Sequence, residues 1–373
     1  MEMNITQESQ SGAPTYLISD YIEIAYLGIV IVFGIPGNFL VLRKLLIEQK
    51  LANKDLVKSG FVMLKINLNI TDLFILLYAL GKFVWLITYQ WIGGDFLCRV
   101  YQMFSMFSLY SSSNIVVCIA LDRLRNVMSA KKIHIKSKKI NTVTVMAICS
   151  WTFSFICSLP QFFLFQTIVV AEYDNFVQCT DIWQISRFNK NEVAFAEGSI
   201  ILSPFFENSY NVVHLVMVFW GPLMVLIITY AVIATKLTKY SLRTPNSVRR
   251  PLGQTIELSV RGNIAYTFVA TSCMQDEPST LDIRFQKKDY GNSILSPRMP
   301  TWRKQLRSKV FRTTILVILI HFLFWFPYNA LGLMKYVNQP FFEQLSANAN
   351  IFKDLQILIT LINPFMYGFK TGK

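Results

Sequence analysis

Charged side chains are scarce in this chain. Only 16% of the 373 residues are Asp, Glu, Lys or Arg, 53% are apolar, and three are histidine. With a mean hydropathy of +0.39, that balance excludes an ordinary soluble domain and points to a chain solvated mostly by lipid. The residue groupings that carry catalysis are missing too. There is no phosphate-cradling glycine loop, no His-Glu-x-x-His zinc pattern and no Gly-x-Ser-x-Gly nucleophile elbow, so neither an enzyme nor a cofactor is expected. The six cysteines lack metal-type spacing. Residues 1–20 lack the basic start and apolar core of a cleavable signal peptide, which leaves the first span to direct its own insertion.

Long uncharged runs are abundant instead. They cover residues 24–42, 66–87 (interrupted by Asp72 and Lys82), 100–121, 140–170, 208–235, 313–334 and 355–369. A bilayer core needs about 20 apolar residues in a helix, so the simplest fold is an all-α membrane protein, a seven-transmembrane helix bundle. The last run becomes long enough if it extends back to Leu345, with Lys353 and Asp354 read as a paired turn. The expected organisation is an outer tail (1–21), spans one to five with their loops (22–238), a third inner loop (239–303), spans six and seven (304–370) and a vestigial tail (371–373). The third inner loop is rich in Arg, Lys, Ser, Thr, Pro and Gly, a composition expected to stay disordered.

Charge distribution orients the bundle. The segments after spans one, three and five are basic, whereas the first 23 residues hold no Lys or Arg and the segment after span four carries Glu172, Asp174, Asp181, Glu192, Glu197 and Glu207. Positive charge stays on the cytoplasmic side, so the N-terminus lies outside. The net charge of +14 therefore reads as plasma-membrane topology and attraction to the bilayer's inner leaflet, not as nucleic-acid binding. Asn4 opens a glycosylation sequon in the outer tail, while the Asn69 sequon falls inside span two. Cys98 and Cys179 are the two cysteines placed near the outer face and are expected to pair.

Function is sought where polar groups interrupt the apolar spans. Asp72, in the middle of span two, needs a partner, a proton or a cation. Ser112 and Asn363, with Asn38 nearby, would supply oxygen ligands suited to sodium. Pro36, Pro160, Pro222, Pro327 and Pro364 each remove a backbone donor within a span, which suits a bundle that moves. His214 and His321 are helix-embedded imidazoles that read first as hydrogen-bonded packing residues. His321 lies four residues before Trp325 and so faces the same side one turn deeper. Asp122 and Arg123 close the inner end of the uncharged third span. A transporter or pump would need a relay of ionisable groups, and Asp72, His214 and His321 trace no such path.

At this point the chain resembles the rhodopsin-like class of G-protein-coupled receptors. The ordered set that carries the resemblance is Gly37-Asn38, Leu68 to Asp72, Trp91 with Cys98, Leu121-Asp122-Arg123, Trp151, Pro222 with Tyr230, Phe324-Trp325-Phe326-Pro327-Tyr328 and Asn363-Pro364-Phe365-Met366-Tyr367. The resemblance implies that an outside ligand rearranges the layer around Trp325. Span six then swings outward to admit a heterotrimeric G protein, with Asp122, Arg123, Tyr230, Asn363, Pro364 and Tyr367 forming the inner switch. Leu124 after Arg123, and Phe324 where the family usually has cysteine, depart from the common pattern.

The same resemblance narrows the ligand. Ser105 stands where amine receptors carry an aspartate, seven residues after Cys98, and Ile357 stands where opsins carry the retinal-linking lysine. The mouth instead offers Lys82, Trp85, Gln102, Phe104, Ser105, Tyr328, Asn329 and Gln356, a polar and aromatic rim suited to an extracellular peptide. Trp325 to Gly332 is similar to the corresponding stretch of gonadotropin-releasing-hormone, adipokinetic-hormone and vasopressin-like receptors. The alternative reading is a chemosensory receptor of the same fold for small environmental molecules. Residues 303–312, at the inner end of span six, include no acid that could lock Arg123. A surface-proximal pair with Asp122, worth about 1 kcal/mol or less, is expected to hold it, giving measurable basal activity.

Overall fold

The computed structural model describes residues 16, 18–52, 56–128, 139–170, 176–188, 202–242, 309–346 and 354–368. The Asn4 sequon, Cys273, Lys353, the inner loop from residue 243 and the 371–373 tail lie outside them. Helices α1 (Ile18–Ala52), α2 (Leu56–Thr88), α3 (Gly94–Met128) and α4 (Lys139–Leu164) form the first four spans. Span five comprises α6 (Pro204–Leu215), a π-helical turn (Val216–Trp220) and α7 (Gly221–Leu242). The short α5 (Ile182–Phe188) precedes it, α8 (Lys309–Val337) is span six, and α9 (Gln339–Ser346) follows. Among the described residues, five helices, those of spans one to five, are long and apolar enough to cross a membrane.

The first span shows why the elements form and how they sit. It starts at Ile18, inside the expected outer tail, because Asp20 in its first turn and Lys50 in its last complement the helix dipole and extend the helix beyond the apolar run. Leu27, Val30, Gly34, Asn38, Val41 and Leu45 recur every three to four residues and are buried, while Ile29, Val32, Phe33, Phe39 and Leu40 face outward. The outer surface is thus apolar and the polar groups point inward, as lipid requires. A Cβ on Gly34 would sit 2.7 Å from the Leu76 side chain, so this glycine allows α1 and α2 to approach closely. Helix α3 is the axis of the bundle: 67% of its most apolar window is buried, against 28% in α1.

Three elements differ from the helical reading. Residues 140–170 do not form one helix. The chain leaves α4 at Leu164, and β1 (Phe165–Val169) pairs antiparallel with β2 (Val177–Asp181), in register from Phe165↔Asp181 to Val169↔Val177. The β-branched run Thr167, Ile168, Val169 favours the extended form once a partner strand is present. In span five, Pro222 cannot donate to the helix, and the preceding turn widens to the π form. A Cβ on Gly221 would lie 2.8 Å from the Val216 carbonyl oxygen, so that turn requires glycine. Span seven is broken into a 3-10 turn (Leu355–Leu358), α10 (Ile359–Asn363) and a π turn (Pro364–Gly368), where a continuous helix was expected.

Contacts divide the chain into two units, residues 1–233 with 308–373 and residues 234–307. The first contains the bundle. The second is described only through the last turns of α7, where Thr238 donates to the Ala234 carbonyl at 2.9 Å.

Candidate functional site

The inner end of α3 places Asp122 and Arg123 side by side. Arg123 Nη2 donates to Asp122 Oδ2 at 2.6 Å, and Asn126 Nδ2, one turn on, donates to the same oxygen at 2.9 Å. The pair is not surface-proximal as expected: Asp122 is 3% and Arg123 6% exposed. The flanking helices close over the inner turns of α3, so breaking this pair would leave a desolvated charge, which is more costly than losing a surface bridge. The Arg123 guanidinium carbon also lies 4.5 Å from the centroid of the Phe61 ring on α2. Phe61 was not singled out from sequence, because an aromatic in an apolar helix looks like packing. Tyr230 lies within electrostatic reach of Arg123 and packs on the inner apolar cluster with Leu68, Ile115 and Ile119. Pro364 opens the last π turn, and the Tyr367 side chain lies outside the description.

One layer further out, Asn363 donates through Nδ2 to both oxygens of Asp72, each at 3.0 Å, and both residues are buried. Asn38, expected among the oxygen donors around Asp72, is engaged elsewhere. Its amide donates to the Gly34 and Thr360 carbonyls, and its Oδ1 accepts from Asn69 at 2.8 Å. The result is a polar tie between spans one, two and seven. Ser112 Oγ and Asn363 Oδ1 are buried and have no hydrogen-bond partner among the described residues. Asn363 Oδ1 lies beside the Asp72 carboxylate, and oxygen donors of this kind are those a hard cation such as sodium takes.

Trp325, in the middle of α8, is completely buried and has His321 stacked on it, ring centroids 4.7 Å apart with 23° between the planes. Asn329 Nδ2 donates to the Trp325 carbonyl at 2.8 Å, one turn toward the mouth. Across from them Phe219, in the π turn of span five, stacks on Phe322 at 5.9 Å. The other helix-embedded imidazole, His214, shares a 2.8 Å hydrogen bond with the Tyr110 hydroxyl and so serves packing between spans three and five.

The outer mouth brings together some of the expected rim and ties up the rest. Lys82 reaches both oxygens of Asp354, at 2.9 and 2.7 Å, and Glu23 Oε1 at 2.5 Å, joining spans one, two and seven through an ion triad. Asp354 thus pairs with Lys82, while Lys353, the partner expected from sequence, lies outside the described residues. Glu23 was missed by sequence reading; its one signal was an acid at a spacing that puts it on the buried face of α1. Trp85 donates to Gln178 at 3.1 Å and packs edge-on against Trp91. Gln102 lies under the hairpin, its amide 3.9 Å from Cys179 Sγ. The Ser105 hydroxyl turns back onto the Gln102 carbonyl at 2.8 Å. Phe104 leaves the rim and joins Phe74 at 5.4 Å in an aromatic cluster between spans two and three. Tyr328 is half-buried, while Asn329 and Gln356 are buried with Oδ1 and Oε1 unpartnered among the described residues.

A lid covers this mouth. Cys98 at the top of α3 is bonded to Cys179 in β2, with Cα atoms 5.7 Å apart across a sequence separation of 81. Trp91 N donates to the Val177 carbonyl and Gln178 Nε2 to the Tyr89 carbonyl, each at 2.8 Å, so the first outer loop is fastened to the same strand. Asp95 Oδ1 accepts from the Thr167 backbone at 2.9 Å on the other strand. Asp181 then turns the chain into α5 by accepting from Gln184 N, and burial pushes its carboxyl above the usual carboxylate range.

Comparison with known proteins is consistent across the chain. The family described as "7 transmembrane receptor (rhodopsin family)" matches residues 37–367. The chain is 27% identical over 390 aligned residues to the G-protein coupled receptor daf-38 of Caenorhabditis elegans, covering 95% of this chain and 90% of that protein. It is 22% identical to the gonadotropin-releasing hormone receptor of Rattus norvegicus, covering 97% and 92% of the two chains. A shorter stretch, 38% of this chain and 34% of the other, is 32% identical to cephalotocin receptor 1 of Octopus vulgaris.

Proposed function

Because the chain belongs to the rhodopsin family of seven-transmembrane receptors, we propose that it is a multi-pass plasma-membrane receptor for an extracellular neuropeptide or peptide hormone. It passes the signal to a heterotrimeric G protein and performs no catalysis. The observation that carries the ligand class is a pair of features of the outer half: a disulfide-anchored hairpin bonded to Trp85 and lying against Gln102, and the buried amide oxygens of Asn329 and Gln356, unpartnered among the described residues. Acceptors left open in an apolar setting favour a ligand with amide donors of its own, and the aromatic walls take apolar side chains. Relatives named for gonadotropin-releasing hormone and cephalotocin support the same class.

The switch runs inward from there. Ligand contact near Asn329 and Gln356 bears on Trp325 through the Asn329 hydrogen bond, and Trp325 bears on His321. Below them the Asp72–Asn363 tie, with Ser112, is the candidate sodium site, and Asp122, Arg123, Tyr230, Pro364 and Tyr367 form the G-protein-facing switch. Lys82, Trp85, Gln102 and Ser105 shape the mouth through their bonds to Asp354, Glu23, the hairpin and α3. The test is to apply pooled amidated peptides to cells expressing the chain and to follow calcium. A peptide pool that raises calcium is expected; response only to volatile or small polar compounds would overturn the reading.

A further inference from the structure

We infer that Phe61 of α2 is the inter-helix restraint that holds Arg123 at rest, in the role an acid on span six cannot fill here. The sequence removes that acid: residues 303–312 contain Arg303, Lys304, Arg307, Lys309 and Arg312 but no Asp or Glu, and residues 234–242 at the end of α7 contain none either. Asp122 is not a substitute, because it sits on the same helix as Arg123 and moves with it. Phe61 sits on a different helix, with its ring centroid 4.5 Å from the guanidinium carbon.

The setting strengthens that contact. Arg123 is 6% and Phe61 7% exposed, so the cation meets the ring face without water between them, where cation–π attraction is strongest. Phe61 is itself held by the inner apolar cluster, among Leu64, Val116 and Val143, and cannot follow an Arg123 that swings away. Lys65, one turn along α2, brings a second ammonium to 5.3 Å from the same ring and is drawn to Glu48 at 3.4 Å. Two cations on one ring repel each other, so the Glu48 partner keeps Lys65 from displacing Arg123. Releasing Arg123 therefore means giving up one aromatic face, a smaller loss than breaking a buried ion pair between helices. The resting state is set loosely for that reason.

This inference rests on Arg123 as the inner switch and is independent of the ligand. Its test reads helix separation without ligand, so failure of the peptide reading would leave it standing. Whole chain in lipid nanodiscs carries one spin label at Met128, which is exposed on α3, and one at the inner end of span six. The fraction of molecules with widened separation is measured for Phe61, Phe61→Tyr, Phe61→Leu and a fluorinated phenylalanine series at position 61. Loss of the contact should shift the resting equilibrium about five- to thirty-fold toward the open form in Phe61→Leu and in the most fluorinated ring, with Tyr unchanged. Fluorination weakens the ring quadrupole while nearly keeping its shape, so the series decides the matter even if Phe61→Leu fails to fold. A flat response along the series would overturn the inference and leave Phe61 as packing alone.

Discussion

His321 lies flat on Trp325, with ring centroids 4.7 Å apart, and its Nδ1 is buried without a hydrogen-bond partner among the described residues. An aromatic polar group left open beneath the indole that is proposed to sense the ligand would act on the resting equilibrium more than on binding. His321→Phe keeps the stack and removes the polar edge. Ligand-independent signalling should change severalfold while ligand affinity stays within about twofold, a separation that uniform loss of binding does not produce. Surface-normalised basal signalling and radioligand saturation check it; equal loss in both would refute it.

Breaking the ion triad should destabilise the outer half of the bundle. Lys82→Met leaves Glu23 and Asp354 buried without their cation, a loss of about 3–5 kcal/mol by analogy with other severed buried pairs. Adding Glu23→Gln and Asp354→Asn to the same chain should restore much of that stability. Thermal unfolding in detergent separates the cases: a Lys82→Met variant as stable as the parent would mean that Lys82 does not hold the three spans together.

The Cys98–Cys179 bridge closes a loop of 81 residues, for which chain entropy gives about 4–5 kcal/mol. Cys98→Ser, Cys179→Ser and the double variant should lose the same amount, since each removes the same single constraint. If the double variant proves markedly less stable than either single one, the two cysteines contribute separately and the bridge is not the source.

Sodium dependence tests the Asp72 layer. If Asp72, Ser112 and Asn363 hold a sodium ion, exchanging sodium for N-methylglucamine should lower the parent's unfolding midpoint by roughly a few degrees and leave Asp72→Asn unmoved. A parent indifferent to the exchange would leave the Asn363–Asp72 hydrogen bonds as purely structural.

Much of the fold was legible in the sequence because lipid imposes a one-dimensional rule: each span must be apolar for about 20 residues, and positive charge stays inside. The outer cysteines were legible for a related reason, since topology placed only two of the six near that face. The ion triad was not, because Glu23, Lys82 and Asp354 come from three spans and only the rotation of each helix shows that they converge. Span four was overrun for a different reason. Hydropathy cannot tell an apolar helix from an apolar strand, and pairing with β2 decided the matter for residues 165–169. Phe61 stayed hidden because its partner is a charge on another helix, and composition carries no record of that distance.

The hairpin is fastened to α3 by a covalent bond, to the first outer loop by Trp91 and Gln178, and to Asp95 by Thr167. The outer end of the central helix is thereby clamped. A rod clamped at one end can only swing at the other, so the Cys98 region acts as the fulcrum of this bundle. Small displacements under the hairpin would become larger ones at the cytoplasmic rim, where Arg123 is held by Asp122 and the Phe61 ring.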